Sequence, residues 1–241
     1  MMTTIKSNDS GLINGYLKYF YDIPTVCPYA VGDMAVYRQA QFGFVDELLM
    51  TAFIEAGFRR NGNSIYTMAC PACGECRPIR LPVKEFKANR SQRRIIKKNQ
   101  DITISTTPFA VTYEKINLLN TFFAHRFSGR DNTAESYYGT FFANTITETF
   151  EVEYRLGKEL VGVAVVDIGN SWLNAVYFFF DSRRSHRHLG IFNILNMIDL
   201  CRRHDIDYLY LGYLIEPLSS MNYKAQFRPH QLLVNNAWQQ P

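Results

Sequence analysis

A chain of 241 residues, 47% of them hydrophobic and including 18 Phe, 15 Tyr and 2 Trp, can fill one large domain or two small ones, which excludes disorder and low complexity as its main state. Its longest apolar runs, such as Ala175 to Phe180, fall far short of the ~20 residues that cross a bilayer, and Met1 to Gly11 is polar, so a cytoplasmic chain with no signal peptide and no membrane partner is expected. The net charge is only +4, yet nine basic residues face one acid, Glu85, between Arg77 and Lys98; that segment carries +8 and the remainder −4, the footprint expected for a polyanion such as RNA.

In chain order, Phe44, Val45, Leu48, Leu49, Ala52, Phe53 and Ala56 recur at helical spacing and predict an amphipathic helix over 42–58, stopped by Gly57. Two strands rich in Ile, Tyr and Val follow at 64–69 and 78–83, joined by a cysteine knuckle. Residues 89–99 read as a helix with a basic outer face and with Ile95 and Ile96 turned inward. Arg77, Arg80, Arg90, Arg93, Arg94, Lys97 and Lys98 are therefore candidate RNA-binding residues.

The character of the chain changes near Pro108, and a domain boundary is expected there, dividing 1–108 from 109–241. Helices over 112–127 and 134–143 lead into strands at 151–156, 160–168 and 172–180, an antiparallel meander turned at Gly157-Lys158 and Gly169-Asn170. A helix carrying Leu189, Phe192, Leu195, Ile198 and Cys201, a strand over 208–213 and a closing helix over 221–227 complete the pattern.

Three of the five cysteines lie in Cys70-Pro71-Ala72-Cys73-Gly74-Glu75-Cys76, a spacing that lets sulfurs converge on one centre. Cys27, before Pro28, is the best fourth ligand, because Cys201 falls on the inner face of a predicted helix. Cys27, Cys70, Cys73 and Cys76 are thus candidate metal ligands, for zinc or a 4Fe-4S cluster alike, with reduced structural thiols as the alternative. Five scattered histidines offer no hydrolytic triad, and neither a phosphate-binding loop nor a dinucleotide fingerprint is present, so the reaction must start from an activated donor.

The order meander, charged turn, long helix and strand resembles the Gcn5-related acyltransferase fold, in which a Gly-rich turn at a helix N-terminus binds a pyrophosphate. Here Arg187-His188-Leu189-Gly190-Ile191-Phe192 keeps one Gly but puts Phe192 where that turn has a small residue, which argues against coenzyme A as donor. The fold expectation is α+β, with a Gcn5-related acyltransferase-like C-terminal domain and a smaller α+β N-terminal domain carrying the cysteine knuckle.

From Tyr21 to Pro229 a longer series of motifs runs in one order: Cys27-Pro28-Tyr29, Gly57-Phe58-Arg59-Arg60, the knuckle with Arg77-Pro78-Ile79-Arg80, Arg90-Ser91-Gln92-Arg93-Arg94, Glu153-Tyr154-Arg155, Tyr210-Leu211-Gly212-Tyr213 and Met221 to Pro229. This series resembles the bacterial arm of the arginyl-tRNA-protein transferase family, the aspartate/glutamate leucyltransferases. The resemblance implies transfer of an aminoacyl group, leucyl in that arm, from aminoacyl-tRNA to the α-amine of proteins beginning with Asp or Glu, marking them for degradation by the N-end rule pathway. It implies aminoacyl-tRNA and acceptor proteins as partners, and no cofactor required for transfer.

An α-amine attacking an ester needs a carboxylate to orient or deprotonate it and donors for the oxyanion. Glu153 is the first candidate, because its spacing to Leu160-Val161-Gly162 matches that of related leucyl/phenylalanyl-tRNA-protein transferases, whose corresponding Glu lies at the reaction centre. Tyr177, Asp181 and Tyr213 stand at predicted strand ends and complete the candidate catalytic set. Lys224 and Arg228, one helical turn apart, are the candidate cations for the acidic acceptor residue. An arginyl donor, an acyl-CoA-dependent N-acetyltransferase and a non-catalytic RNA-binding module are the rival readings.

Overall fold

The computed structural model describes residues 7–127 and 133–241, the first four of these by backbone alone. The chain forms two compact units, the first made of Met1–Phe86, Thr145–Thr147 and Tyr210–Pro241 and the second of Lys87–Asn144 and Glu148–Leu209. The boundary expected at 108 divides the chain once, whereas these units interleave. Strands pair with partners distant in sequence, so the C-terminal segment builds the same unit as the N-terminal one.

Unit 1 opens with helix α1 (Ser7–Asn14), then β1 (Tyr21–Val26), β2 (Met34–Gln41), helix α2 (Glu47–Glu55), β3 (Arg59–Asn61), β4 (Ser64–Met68) and β5 (Arg77–Pro82). A four-stranded sheet runs β1-β2-β4-β3 with antiparallel pairing throughout. The helix expected over 42–58 is shorter, because Asp46 caps it by accepting a hydrogen bond from Leu49 N at 2.8 Å. Phe44 precedes the helix and is exposed, as is Leu48, so neither belongs to the inner face that the periodicity assigned them.

Gly57 adopts φ +84 just past the helix, and a Cβ there would meet Leu233 Cδ2 at 2.6 Å and Pro78 Cγ at 2.9 Å, which explains a glycine at this stop. Thr145 joins the unit through Asn63, which donates from Nδ2 to Thr145 Oγ1 at 2.9 Å and accepts from Thr145 N at 2.8 Å.

Unit 2 holds helix α3 (Arg90–Lys98), β6 (Ile102–Pro108), helix α4 (Tyr113–Arg126), the short α5 (Ala134–Ser136) continuing as a π-helical turn over Tyr137–Phe142, β7 (Glu148–Leu156), β8 (Glu159–Ile168), β9 (Trp172–Phe180) and helix α6 (Leu189–Arg203). The expected meander is present as β7, β8 and β9, antiparallel and in the order β9-β8-β7-β6. Strand β6, which the sequence did not suggest, pairs antiparallel with β7 at the edge. Thr103, Ser105 and Thr106 face solvent and only Ile102 is buried, so it lacks the apolar alternation that marks a half-buried strand.

Register fixes what each face of this sheet carries. Glu153 pairs with Val163 and Glu151 with Val165, while Val163 and Val165 pair with Phe179 and Tyr177, so the two glutamates share a face with the aromatic core under α4. The opposite face presents Tyr154, whose hydroxyl donates to Asn193 Oδ1 of α6 at 2.8 Å and whose ring packs against Phe192.

Four further strand and helix pieces close unit 1: β10 (Tyr208–Leu214), helix α7 (Ser219–Asn222), β11 (Gln231–Val234) and β12 (Ala237–Gln239), with the strand run β12-β11-β5-β10. The closing helix expected over 221–227 is instead α7 followed by a single 3-10 turn, Tyr223–Gln226. No helix among the described residues is long and apolar enough to cross a membrane.

Candidate functional site

Helix α3 forms where Asn89 and Gln92 make a reciprocal capping box, each side chain accepting from the other's backbone N–H at 2.9 Å. Gln92, Ile95 and Asn99 are buried, leaving Arg90, Arg93, Arg94, Lys97 and Lys98 exposed as one cationic face. Ile96 is 40% exposed and belongs to that outer face, contrary to the expectation from sequence; the turn places it one position beyond the buried stripe.

The end of α3 is pinned to the turn before α6. Lys98 Nζ donates to His186 O at 3.0 Å, Asn99 Nδ2 donates to Arg187 O at 2.9 Å, and Arg187 forms a bidentate pair with Asp101 at 2.8 and 2.9 Å. Arg93 meanwhile reaches back to Ala88 O.

The other two basic candidates lie in unit 1. Arg77 pairs with Glu216 at 2.5 Å and is half-buried. Arg80 is 3% exposed, donates to Gln231 Oε1 at 2.7 Å and to Tyr210 O–H at 2.9 Å, and lies 4.3 Å over the Trp238 ring. It is therefore an interior cation that a phosphate on the surface does not reach, and it leaves the RNA-binding set.

On β7 a polar network crosses the core of unit 2. Lys115 of α4, 3% exposed, donates to Glu151 at 2.6 Å and to Ala110 O at 3.3 Å, and forms an ion pair with Glu153 at 3.1 Å. Glu151, fully buried, also accepts from the Tyr138 hydroxyl at 2.9 Å and from Ala110 N at 3.2 Å. Glu153, 9% exposed, gives its second oxygen to Arg155 at 3.0 Å, and Arg155 in turn pairs with Glu114 at 2.7 Å. Both Glu153 oxygens are thus paired with cations, one by a hydrogen bond from Arg155 and one by the Lys115 ion pair, which holds the carboxylate in one orientation. Burial and the bonded Glu151 push the Tyr138 hydroxyl far above its ordinary range. Neither Lys115 nor Tyr138 stood among the candidates, although a lysine on the apolar face of a predicted helix is a legible signal.

Tyr177 is half-buried and wedged among aromatic rings, with centroids 5.4 Å from Phe142, 5.8 Å from Tyr137 and 6.1 Å from Phe141. Asp181 is 2% exposed and committed to its own turn, accepting from Arg183 N at 3.2 Å, Arg183 Nε at 2.7 Å and Arg184 Nε at 2.9 Å. Burial raises its pKa, but these bonds outweigh burial and hold the carboxyl below the usual range. The turn ends at His188, left-handed at φ 53, and Phe192 is buried against Tyr154, so the bulky residue in place of a small one is a core residue.

Tyr213, the fourth catalytic candidate, sits in unit 1, buried on β10. Lys224 and Arg228 do not form a pair. Lys224 is 8% exposed, whereas Arg228 follows the fully buried Phe227 and points to solvent, because the expected helix breaks into a turn. Burial and the like charge of Arg59 bring the Lys224 ammonium down to about 7.

The knuckle cysteines and Cys27 are half-buried in unit 1. Burial and the fields of Cys70, Cys73 and Cys27 push the Cys76 thiol up to about 12. Burial at Cys27 is outweighed by the backbone N–H groups of Tyr29, Val31, Gly32 and Ala30, which draw its thiol down, and Val36 N donates to Cys70 Sγ at 3.4 Å. Backbone donors directed at sulfur suit a thiolate ligand. As placed, however, no three His, Cys, Asp or Glu side chains among the described residues converge closely enough to hold an ion. Cys201 is buried in α6 of unit 2, its thiol pushed up to about 12 by burial.

The exposed cationic face of α3 and the ion-paired carboxylates of β7 are the main charged features of unit 2, and the family comparisons define the class of protein as a transferase. Profiles described as "Arginine-tRNA-protein transferase, N terminus" and "Arginine-tRNA-protein transferase, C terminus" match residues 25–94 and 114–234. A protein of Thiobacillus denitrificans called aspartate/glutamate leucyltransferase is 36% identical over 230 residues, covering 94% of this chain and 94% of that one. Proteins of the same name from Gluconacetobacter diazotrophicus and Pseudomonas putida are 35% and 38% identical, covering 91% and 76% of this chain and 86% and 79% of theirs. The chain belongs to the arginine-tRNA-protein transferase family.

Breaking a buried ion network by removing its central cation leaves carboxylates without a counter-charge. Lys115→Met is expected to lower unfolding free energy by about 3–5 kcal/mol, read by urea denaturation, whereas Glu114→Gln on the exposed rim changes it by about 1 kcal/mol or less.

Proposed function

We propose that the protein transfers a leucyl group from leucyl-tRNA to the α-amine of proteins whose first residue is Asp or Glu, and that it does so in the cytoplasm as the step that marks them for degradation. The observation that carries this reading is similarity along nearly the whole chain to relatives called aspartate/glutamate leucyltransferase. The antiparallel β7-β8-β9 run followed by a turn and α6 supports a Gcn5-related acyltransferase-like fold for the part that performs the chemistry.

The donor ester arrives activated, so transfer needs no nucleotide and no coenzyme A. The exposed face of α3, with Arg90, Arg93, Arg94, Lys97 and Lys98, suits the phosphates of a tRNA stem, and the half-buried Arg77 extends the cationic set. Glu153 is the group proposed to orient and deprotonate the acceptor α-amine, since Lys115 and Arg155 hold its carboxylate and each oxygen keeps a second lone pair. As the amine attacks the ester carbonyl, the tetrahedral oxyanion needs a donor until the terminal ribose hydroxyl leaves, a role for which the Tyr213 hydroxyl is proposed. Tyr177, among half-buried rings, suits the apolar leucyl side chain, and Asp181 shapes the turn that ends β9. Lys224 is the proposed partner of the acidic acceptor side chain, with Arg228 at the surface as a weaker contributor.

Cys27, Cys70, Cys73 and Cys76 would hold a zinc ion or a 4Fe-4S cluster, which would tie the start of the chain to the knuckle. The four half-buried thiols and the backbone donors at Cys27 and Cys70 support the donor set.

Incubation with leucyl-tRNA and a peptide beginning with Asp, without ATP or coenzyme A, is expected to yield the leucylated peptide; parallel reactions with arginyl- and phenylalanyl-tRNA should give little product, and no product with any donor overturns the reading. Replacing Arg93 and Arg94 by Ala is expected to weaken tRNA binding and flatten the log-log dependence on salt by about 0.9 per lost phosphate contact, measured by filter binding across a salt series. Metal analysis and an absorption spectrum of protein purified without oxygen are expected to show zinc or iron with sulfide, and Cys73→Ser should lose it; bare thiols in the wild type would refute the ligand set.

A further inference from the structure

Strand β6 ends the run β9-β8-β7-β6, so one of its edges has no neighbouring strand. Ile102 N donates to Asn99 O at 3.0 Å, which turns the Ile102 N–H away from its antiparallel partner β7. Backbone groups in an antiparallel pair alternate in direction, so Ile104 and Thr106 also turn their N–H and C=O groups outward. Pro108 follows in that series, at a position where a missing N–H costs β7 no hydrogen bond, and only its carbonyl extends the outer edge. Among the described residues, no group bonds to the backbone of Ile104 or Thr106 on that side.

Natural sheets protect an open edge with lysines, inward-pointing charges, bulges or a proline in mid-strand. Strand β6 has none of these: Ile102–Pro108 holds no charged residue, its Pro comes last, its register with β7 is continuous, and Thr103 to Thr106 are exposed. A phosphate backbone finds no cation on this strand. Seven residues at ~3.4 Å each make an edge roughly 24 Å long and ~10 Å thick, so a second copy paired here alone buries roughly 500 Å² in all, well under the ~1,200 Å² of a stable complex. A single extended peptide needs no more than such an edge, because main-chain hydrogen bonds supply its affinity.

We propose that β6 receives the extended N-terminal segment of the acceptor protein as an added strand, bonded through the backbone of Ile104 and Thr106. The inference rests on the leucyl-transfer reading above, in which the acceptor is a polypeptide and Glu153 meets its α-amine. Register sets the edge beside that carboxylate, because Ser105 is the residue of β6 that pairs with Glu153. A strand outside β6 lies two strand spacings, ~10 Å, from β7, a gap that about three extended residues cross. The first residues of the acceptor thus extend towards β7 while the following ones lie along the edge. Main-chain hydrogen bonds read no side chain, so this contact accepts any sequence after the first residues, as a transferase acting on many proteins requires.

The test uses a peptide of about ten residues beginning with Asp, and derivatives each N-methylated at one amide from the third residue onward. Binding by calorimetry and the KM for leucyl transfer are measured with the full-length wild type, Thr106→Pro and Thr106→Val. Amide hydrogen exchange at Ile104 and Thr106 is followed by NMR in the wild type. The peptide is expected to slow exchange at both amides. N-methylation should raise Kd and KM on the order of 3- to 10-fold at every second residue along the paired stretch and by less than about twofold between them. Thr106→Pro removes an N–H that faces away from β7, so it should weaken binding and erase the penalty at one methylated position, whereas Thr106→Val keeps the wild-type pattern. Should Thr106→Pro not fold, the methylation series and the exchange data on the wild type decide alone. An absence of alternation, unslowed exchange at Ile104 and Thr106, or a pattern unchanged in folded Thr106→Pro overturns the added strand. Exchange slowed by protein concentration without peptide also overturns it, since a second copy then covers the edge. Alternating, β6-dependent binding without leucyl transfer would overturn the transfer reading and leave the edge site standing; transfer without alternation does the reverse.

Discussion

Lys115 takes a full positive charge into the interior of unit 2, between Glu151 and Glu153, and the rest of that unit is arranged around it. An ammonium there is tolerable only because two carboxylates, a tyrosine hydroxyl and a backbone N–H complete the network. The pairing fixes α4 against β7, so the aromatic side of α4, with Leu119, Phe122 and Phe123, lies over Val163, Val165 and Phe179. It also holds Glu153, 9% exposed, in place on β7. A purely apolar contact between α4 and β7 would allow several near-equivalent packings, whereas a lysine with two acceptors allows one.

Unit 1 handles buried charge in the opposite way. Arg80 is satisfied by Gln231, Tyr210 and the face of Trp238, and it behaves as a structural cation. Lys224, in the turn after α7, donates to Tyr213 O at 2.7 Å, while burial and the like charge of Arg59 lower its pKa. The first cation is satisfied by acceptors and aromatic faces, whereas burial and a like charge act against the second.

The basic segment divides along similar lines. Nine basic residues between Arg77 and Lys98 look equivalent on paper. In the fold, α3 exposes five of them on one face, while Arg77 and Arg80 lie on β5, one paired with Glu216 and one buried. Charge in the sequence is a sum over residues, but its effect on a polyanion depends on which side chains remain in water.

Local pattern determined much of this protein. The apolar runs of 160–168 and 172–180 read directly as strands β8 and β9, the basic outer face of 89–99 marks α3, and the ordered series of motifs places the chain in its family. These features depend on residues close in sequence, where backbone geometry and capping act. What lay beyond local reach was decided by tertiary structure: the return of Tyr210–Pro241 into the N-terminal unit, the polar edge strand β6 and the separation of Lys224 from Arg228. The same holds for the buried partnerships of Lys115 with Glu151 and of Arg59 with Lys224. A buried charge is defined by what excludes water from it, and those neighbours come from segments tens to more than a hundred residues apart, so only the folded chain could select them.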